Sequence, residues 1–177
     1  FVMDIGHFGT SPGNAPGQFN EPIAVAVDQE HSTLLVADFL NDRIQIFNKD
    51  TGNYIRTFGG GMTGEFRGPR GICVDRGSKL LFVADRENHR IKLYNKDTFT
   101  LLRNIGSSGT SPLLFNRPME MCVSVSSGLL FVVDGYNHRI QVIQVEELQE
   151  ERFRLEQKSK TREAEIERLK NVPKASI

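Results

Sequence analysis

The sequence predicts an all-β protein in which a short four-stranded antiparallel sheet is repeated along the chain and followed by a charged helix. Three observations predict it. Pro22, Pro69 and Pro118 each open an apolar run, at spacings of 47 and 49 residues. Asp38, Asp85 and Asp134 recur in the same phase, as do Asn41-Asp42-Arg43-Ile44, Asn88-His89-Arg90-Ile91 and Asn137-His138-Arg139-Ile140. Sixteen glycines and seven prolines, with no tryptophan, suit many short strands joined by turns. Self-similarity at a fixed period of this size is the mark of a repeat architecture.

Each unit reads as four strands in order. The first follows the proline: Ile23 to Val27, Arg70 to Val74, Met119 to Val123. Its small residues Ala26, Cys73 and Cys122 fall at one aligned position, as expected of a crowded inner strand, and both cysteines read as small buried hydrophobes. The second strand is an unbroken apolar run: Leu34 to Ala37, Leu81 to Ala84, Leu130 to Val133. Such runs fit strands covered on both faces. The third alternates from Ile44, Ile91 or Ile140 to Phe47, Tyr94 or Ile143, and the fourth is Tyr54 to Phe58 or Leu101 to Ile105. Between third and fourth, Asn48-Lys49-Asp50-Thr51-Gly52 and Asn95-Lys96-Asp97-Thr98 supply the residues that reverse a backbone. One antiparallel sheet per repeat stacks radially, giving the blades of a β-propeller.

The stretch Gly64-Glu65-Phe66, Pro69, Gly71-Ile72-Cys73-Val74-Asp75, Leu81-Phe82-Val83-Ala84-Asp85, Asn88-His89-Arg90-Ile91 resembles the NHL repeat family. The first unit departs from the pattern with Asp42 in place of histidine. The third departs with Leu113 and Glu120 in place of glycines and Ser124 in place of aspartate. The resemblance implies a propeller, such as those of tripartite-motif proteins, where rings usually have six blades. Here the predicted organisation is a propeller region over 1–145 and a charged helical tail over 146–177. The propeller region divides into an orphan strand at 1–9, blades at 17–60 and 64–107, and a partial blade at 113–145. Three blades are too few to close a ring. Two arrangements meet that count: a piece of a longer chain, or a homodimer in which each orphan strand completes the partner's third blade.

In the tail, 15 of the 25 residues from Glu146 to Lys170 are Glu, Lys or Arg, which are good helix formers. Leu148, Leu155 and Leu169 sit at multiples of seven, with Arg162 interrupting. A solvated linker helix, a coiled coil and a helix packed on the propeller all remain open.

Formal net charge is zero, and no apolar stretch approaches membrane-spanning length. This predicts a soluble, cytoplasmic protein. Asp38, Asn41, Arg43, Asp85, Asn88, Arg90, Asp134, Asn137 and Arg139 form an Asp-x-x-Asn-x-Arg pattern that recurs in every blade. A catalytic constellation is unique, so recurrence assigns these residues to structure, with aspartates accepting turn amides and arginines bridging to them. The histidines His7, His31, His89 and His138 do not converge by strand order, so no metal site and no cofactor is expected. Charge is unevenly spread: residues 17–63 balance to minus three and residues 64–110 to plus four. Arg67, Arg70 and Arg86, with Arg117 on the next blade, are expected on one loop face together with Phe39 and Tyr136. Those residues could hold a protein partner or RNA phosphates, against the plainer reading of scattered solvated arginines. The leading expectation is a noncatalytic scaffold for protein–protein interaction. The alternatives are RNA binding by the second blade's basic face, as part of a tripartite-motif-like ubiquitin ligase, and a metal-dependent propeller lyase.

Overall fold

The computed structural model describes residues 3–6, 12–59 and 65–146. The chain divides into two compact units, Phe1–Ile143 and Gln144–Ile177. Past residue 146 the predicted tail helix and coiled coil lie outside the described residues, as do residues 1–2 and 7–9 of the predicted orphan strand.

Three antiparallel sheets carry the first unit. The first is β1 (Pro22–Asp28), β2 (Thr33–Asp38), β3 (Arg43–Asn48) and β4 (Tyr54–Gly59), in that spatial order. The second is β5 (Pro69–Asp75), β6 (Leu80–Asp85), β7 (Arg90–Asn95) and β8 (Leu101–Ile105). The third has three strands, β9 (Pro118–Ser124), β10 (Leu129–Asp134) and β11 (Arg139–Gln144). Every prolines-first strand therefore starts at the residue the repeat marks. Proline is tolerated there because the first position of a strand need not donate to the ladder.

The registers repeat as the sequence does. Ala37 pairs with Ile44 and Ala84 with Ile91, while Ile44 pairs with Phe58 and Ile91 with Ile105. A short 3-10 turn joins second to third strand in each blade: Phe39–Asn41, Arg86–Asn88 and Gly135–Asn137. Each ends on a left-handed residue, Asp42, His89 or His138, at φ between 52° and 54°. Non-glycine residues at positive φ are uncommon, and Asp, Asn and His are the types that tolerate it. That backbone need accounts for the residue type at the histidine position of the motif.

The blades stack face to face. Leu35, Ala37, Ile44, Ile46 and Phe58 of the first sheet share one buried cluster with Phe66, Ile72, Leu81, Val83 and Tyr94 of the second. The central strand β6 is buried at every residue, as its unbroken apolar run requires. At Gly71 the approach of blade three is tightest: a Cβ there would stand 2.2 Å from the Met119 carbonyl oxygen. Only glycine fits, whereas the first blade carries Ala24 at this position and the third Glu120.

Cysteine burial corrects one expectation. Cys73 is buried, and burial raises its thiol pKa to about 11, but Cys122 is exposed. Its aligned relatives Ala26 and Cys73 face a following blade, and Cys122 has none among the described residues.

Candidate functional site: the loop face

The repeated aspartates lie at the centre of each blade's loop end. Asp38, Asp85 and Asp134 are all fully buried. Asp38 Oδ1 accepts the Asn20 amide at 2.7 Å, and its Oδ2 accepts from Asn41 Nδ2 at 2.9 Å, Arg43 Nε at 2.7 Å and Gln45 Nε2 at 3.1 Å. Asp134 repeats the set with the Asn116 amide, Asn137, Arg139 and Gln141. Asp85 takes the Arg67 amide, Asn88 and Arg90. A buried charge is tolerable only when paired and hydrogen-bonded, and these carboxylates have donors on every side. Burial alone raises the Asp134 pKa, but the donated hydrogen bonds outweigh it and hold that carboxyl below the ordinary value. The arginines reach onward: Arg43 Nη2 donates to Gln18 O at 2.8 Å and Arg139 Nη2 to Leu114 O at 2.8 Å. Each motif therefore ties the loop entering a blade to that blade's 3-10 turn.

Across the blade boundary the left-handed residue takes over. Gly68 N donates to Asp42 Oδ1 at 2.7 Å, and Arg117 N donates to His89 Nδ1 at 3.2 Å. Gly68 and Arg117 each precede the proline of the next blade, so one acceptor position latches successive blades. Sequence reasoning did not assign this role. The signal was there, because both acceptor types at that position share a lone pair at similar reach.

The binding residues proposed from the sequence fall into two groups. Arg86, Arg117 and Tyr136 converge: the guanidinium carbon of Arg117 lies 4.9 Å from the Tyr136 ring centroid and that of Arg86 5.6 Å from it. Glu87, which the sequence reading passed over, joins both arginines, pairing with Arg86 and lying 3.2 Å from Arg117 Nη2. Hydrogen bonding and charge from Arg117, with Arg86 adding to it, lower the Tyr136 pKa. Tyr136 as a residue is 48% exposed. The other three residues stand apart. Arg67 is exposed and holds the turn through its backbone, with Glu87 N donating to Arg67 O at 3.0 Å. Arg70 lies on β5, 3.9 Å from Glu120. Phe39 is half-buried, with its ring over Gly68, where a Cβ would approach to 2.8 Å. Leu40, Glu87 and Tyr136 occupy the middle of the three aligned 3-10 turns, so an exposed apolar, an acidic and an aromatic side chain follow one another from blade to blade.

At the opposite end, Asp28, Glu30 and His31 bring ligand-type atoms within 4.8 Å of one another. The Lys96 ammonium of the next blade reaches into this group, 3.2 Å from Asp28, 2.7 Å from Glu30 and 3.2 Å from Asp97. A cation is already supplied by the chain, and the arrangement is an inter-blade ion cluster. Burial acts to lower the Lys96 pKa, but hydrogen bonds to Glu30, Asp97 and Asp28 raise it overall.

Antiparallel sheets of four, four and three strands, stacked face to face with their first strands adjoining, place the fold in the β-propeller class. Residues 66–94 and 115–143 match the family model described as the NHL repeat. Those two stretches, one in the second blade and one in the third, carry NHL repeats. No curated protein matches the sequence. Among solved structures it is similar to Kuenenia stuttgartiensis hydrazine synthase, at 13% identity and TM-score 0.58, over 79% of this chain and 36% of that one. It is also similar to a chain of a nidogen/laminin complex, at 19% identity and TM-score 0.52, over 63% of this chain and 38% of that one. The chain thus spans little more than a third of either structure's chain, and at these identities the likeness speaks for the fold alone. No helix among the described residues is long and apolar enough to cross a membrane.

Proposed function

We propose that this chain is a noncatalytic β-propeller platform that binds another protein through its loop face, centred on Tyr136. The observation that carries the reading is the exposed Tyr136 ring held between Arg86 and Arg117. An aromatic fixed in place loses little entropy on binding, and tyrosine and arginine are the residue types that dominate protein–protein contacts. Leu40 on the first blade, 53% exposed, extends the same row with an apolar contact. The polar groups with the deepest burial, the repeated aspartates, are saturated with hydrogen bonds and identical in every blade, so they support the scaffold and leave no unique acid–base pair.

RNA binding, the runner-up, is less well supported by the same geometry. Phosphate recognition needs arginines with free donors, and Glu87 neutralises part of both Arg86 and Arg117. A tripartite-motif-type ligase role and a lyase role find no supporting group among the described residues.

The test is a titration of labelled single-stranded RNA, run beside affinity capture with the wild-type chain and with Tyr136→Ala. The reading expects a protein partner retained by the wild type and lost by Tyr136→Ala, with no saturable RNA binding. Saturable RNA binding that falls steeply with salt and disappears in Arg67→Ala/Arg70→Ala would replace it with the RNA reading.

A further inference from the structure

The buried aspartates of the loop face are saturated with hydrogen bonds, but two arginines beside them are not. Among the described residues, Arg70 Nε and Arg86 Nε are buried nitrogens with no hydrogen-bond acceptor. Native proteins satisfy nearly all buried donors, so two such atoms at the same end of one blade call for an explanation. The neighbouring acids fall short. Glu120 stands 3.9 Å from Arg70 Nε, beyond hydrogen-bonding distance. Glu87 pairs with Arg86 through Nη1 and leaves Nε without an acceptor.

The strand register brings these two arginines together. Pro69 pairs with Asp85, so Arg70 and Arg86, the residues that follow each, adjoin across β5 and β6. Their counterparts in the third blade show how close that is: a Cβ on Gly135 would stand 2.7 Å from Met119 Cε. Where the third blade sets a thioether against bare backbone, the second has two guanidinium side chains. Arg117 and the exposed Arg67 lie at the same loop end, so four arginines meet only Glu87 and Glu120 there, a surplus of two positive charges. Both walls of this junction are described, and β5 has β1 on one side and β9 on the other. The turn position of Tyr136 also stays open where a further blade follows, since the aligned Leu40 is 53% exposed with the second blade beside it.

We propose that this loop end is an anion site, and that the partner held at Tyr136 is an acidic protein segment presenting a side-chain carboxylate to Arg70 and Arg86. The proposal rests on the protein-binding reading and specifies its partner. A carboxylate offers two oxygens in one plane, the geometry that a guanidinium matches with parallel donors. Glu120 competes weakly for the same cation, being exposed and outside hydrogen-bonding distance of it. A nucleic-acid strand instead needs a cationic track along its backbone. Across this face the aligned position reverses sign, from Arg117 in the third blade to Glu21 in the first, which suits a short acidic segment better than a chain of phosphates.

The test is fluorescence anisotropy with the whole chain and a labelled peptide of glutamate, glycine and serine, beside the same peptide with glutamine for glutamate and beside labelled single-stranded RNA. The glutamate peptide is expected to bind saturably and about tenfold more tightly than the glutamine peptide, with an affinity that falls as salt rises. Arg70→Gln/Arg86→Gln is expected to erase that difference. Arg76→Gln/Lys79→Gln, which removes the same charge at the opposite end, is expected to keep it. Should the double arginine variant fail to fold, Glu120→Gln decides, because removing the competing acid is expected to tighten the glutamate peptide. Equal or undetectable binding of the two peptides, a difference that survives in folded Arg70→Gln/Arg86→Gln, or no tightening in Glu120→Gln would each overturn the acidic site. In those cases a protein still captured through Tyr136 leaves the protein-binding reading standing. RNA that displaces the glutamate peptide and binds more tightly would overturn both.

Discussion

At the scale of single residues the blade junctions depend on one lone pair apiece. His89 Nδ1 accepts the amide of Arg117, and Asp42 serves Gly68 in the same way. The left-handed backbone at these positions aims the short side chain at the next blade, which explains why a residue that is neither catalytic nor metal-binding recurs so regularly. His89→Ala strands the Arg117 amide in a part-buried site and is expected to lower unfolding free energy by about 1–3 kcal/mol. His89→Asn keeps an acceptor and tolerates positive φ, so it is expected to recover most of that loss. Urea denaturation decides the point with His138→Ala as control: it makes the same substitution at a left-handed residue that meets no amide of a following blade among the described residues, so any loss beyond it belongs to the hydrogen bond.

Among elements, the turn of one blade meets that of the next in a cluster whose strength depends on burial. Lys96 and Asp28 have side chains 2% and 5% exposed, whereas Lys49, the counterpart of Lys96, pairs with Asp50 at 25% and 60% exposure. Removing one partner of a buried pair leaves an uncompensated charge, and Lys96→Met is expected to cost about 3 kcal/mol. Lys49→Met is expected to change stability by about 0.5 kcal/mol or less. The pH dependence follows from the directions of the shifts. Burial raises the Asp28 pKa, but hydrogen bonds from His31, Lys96 and the Glu30 amide bring it below the ordinary 3.8. Its contribution is complete above 3.8 and is lost as pH falls through the lower, folded value. Lys96 is raised above 10.5, so its contribution is complete below 10.5 and is lost only as pH rises through the higher, folded value. Thermal midpoints of wild type and Lys96→Met should therefore stay a constant distance apart between roughly pH 5 and 9, and converge in acid.

For the whole molecule, stability is a property of junctions as much as of blades. Each blade of a stacked series contacts only its neighbours, so a blade covered on both faces outlasts one covered on a single face. The second blade is the covered one: β6 is wholly buried, while β11 buries only Ile143, its other residues being half-buried or exposed. In dilute solution the amides of β6 and β7 are expected to exchange slowest and those of β10 and β11 ahead of them. Uniform exchange across all three sheets would mean that the blades unfold as one unit.

The repeat length, the number of strands per blade and the partition of apolar and polar faces were legible in the sequence, because strand alternation and turn chemistry are local. So was the Asp-x-x-Asn-x-Arg pattern, since recurrence in every unit is itself evidence of a structural part. Other features were decided only by the tertiary structure. The sequence gives the type of residues 42 and 89 but not the amide they meet, because that amide lies 26 to 28 positions away on another blade. Glu87 lay hidden for the same reason: its meeting with Arg117 is made by blade stacking, not by spacing along the chain. Cys122 and Cys73 share one aligned position, and only the presence or absence of a covering blade makes one exposed and the other buried. Local chemistry fixes what each strand is, while burial and charge pairing depend on which neighbour the fold brings to its face.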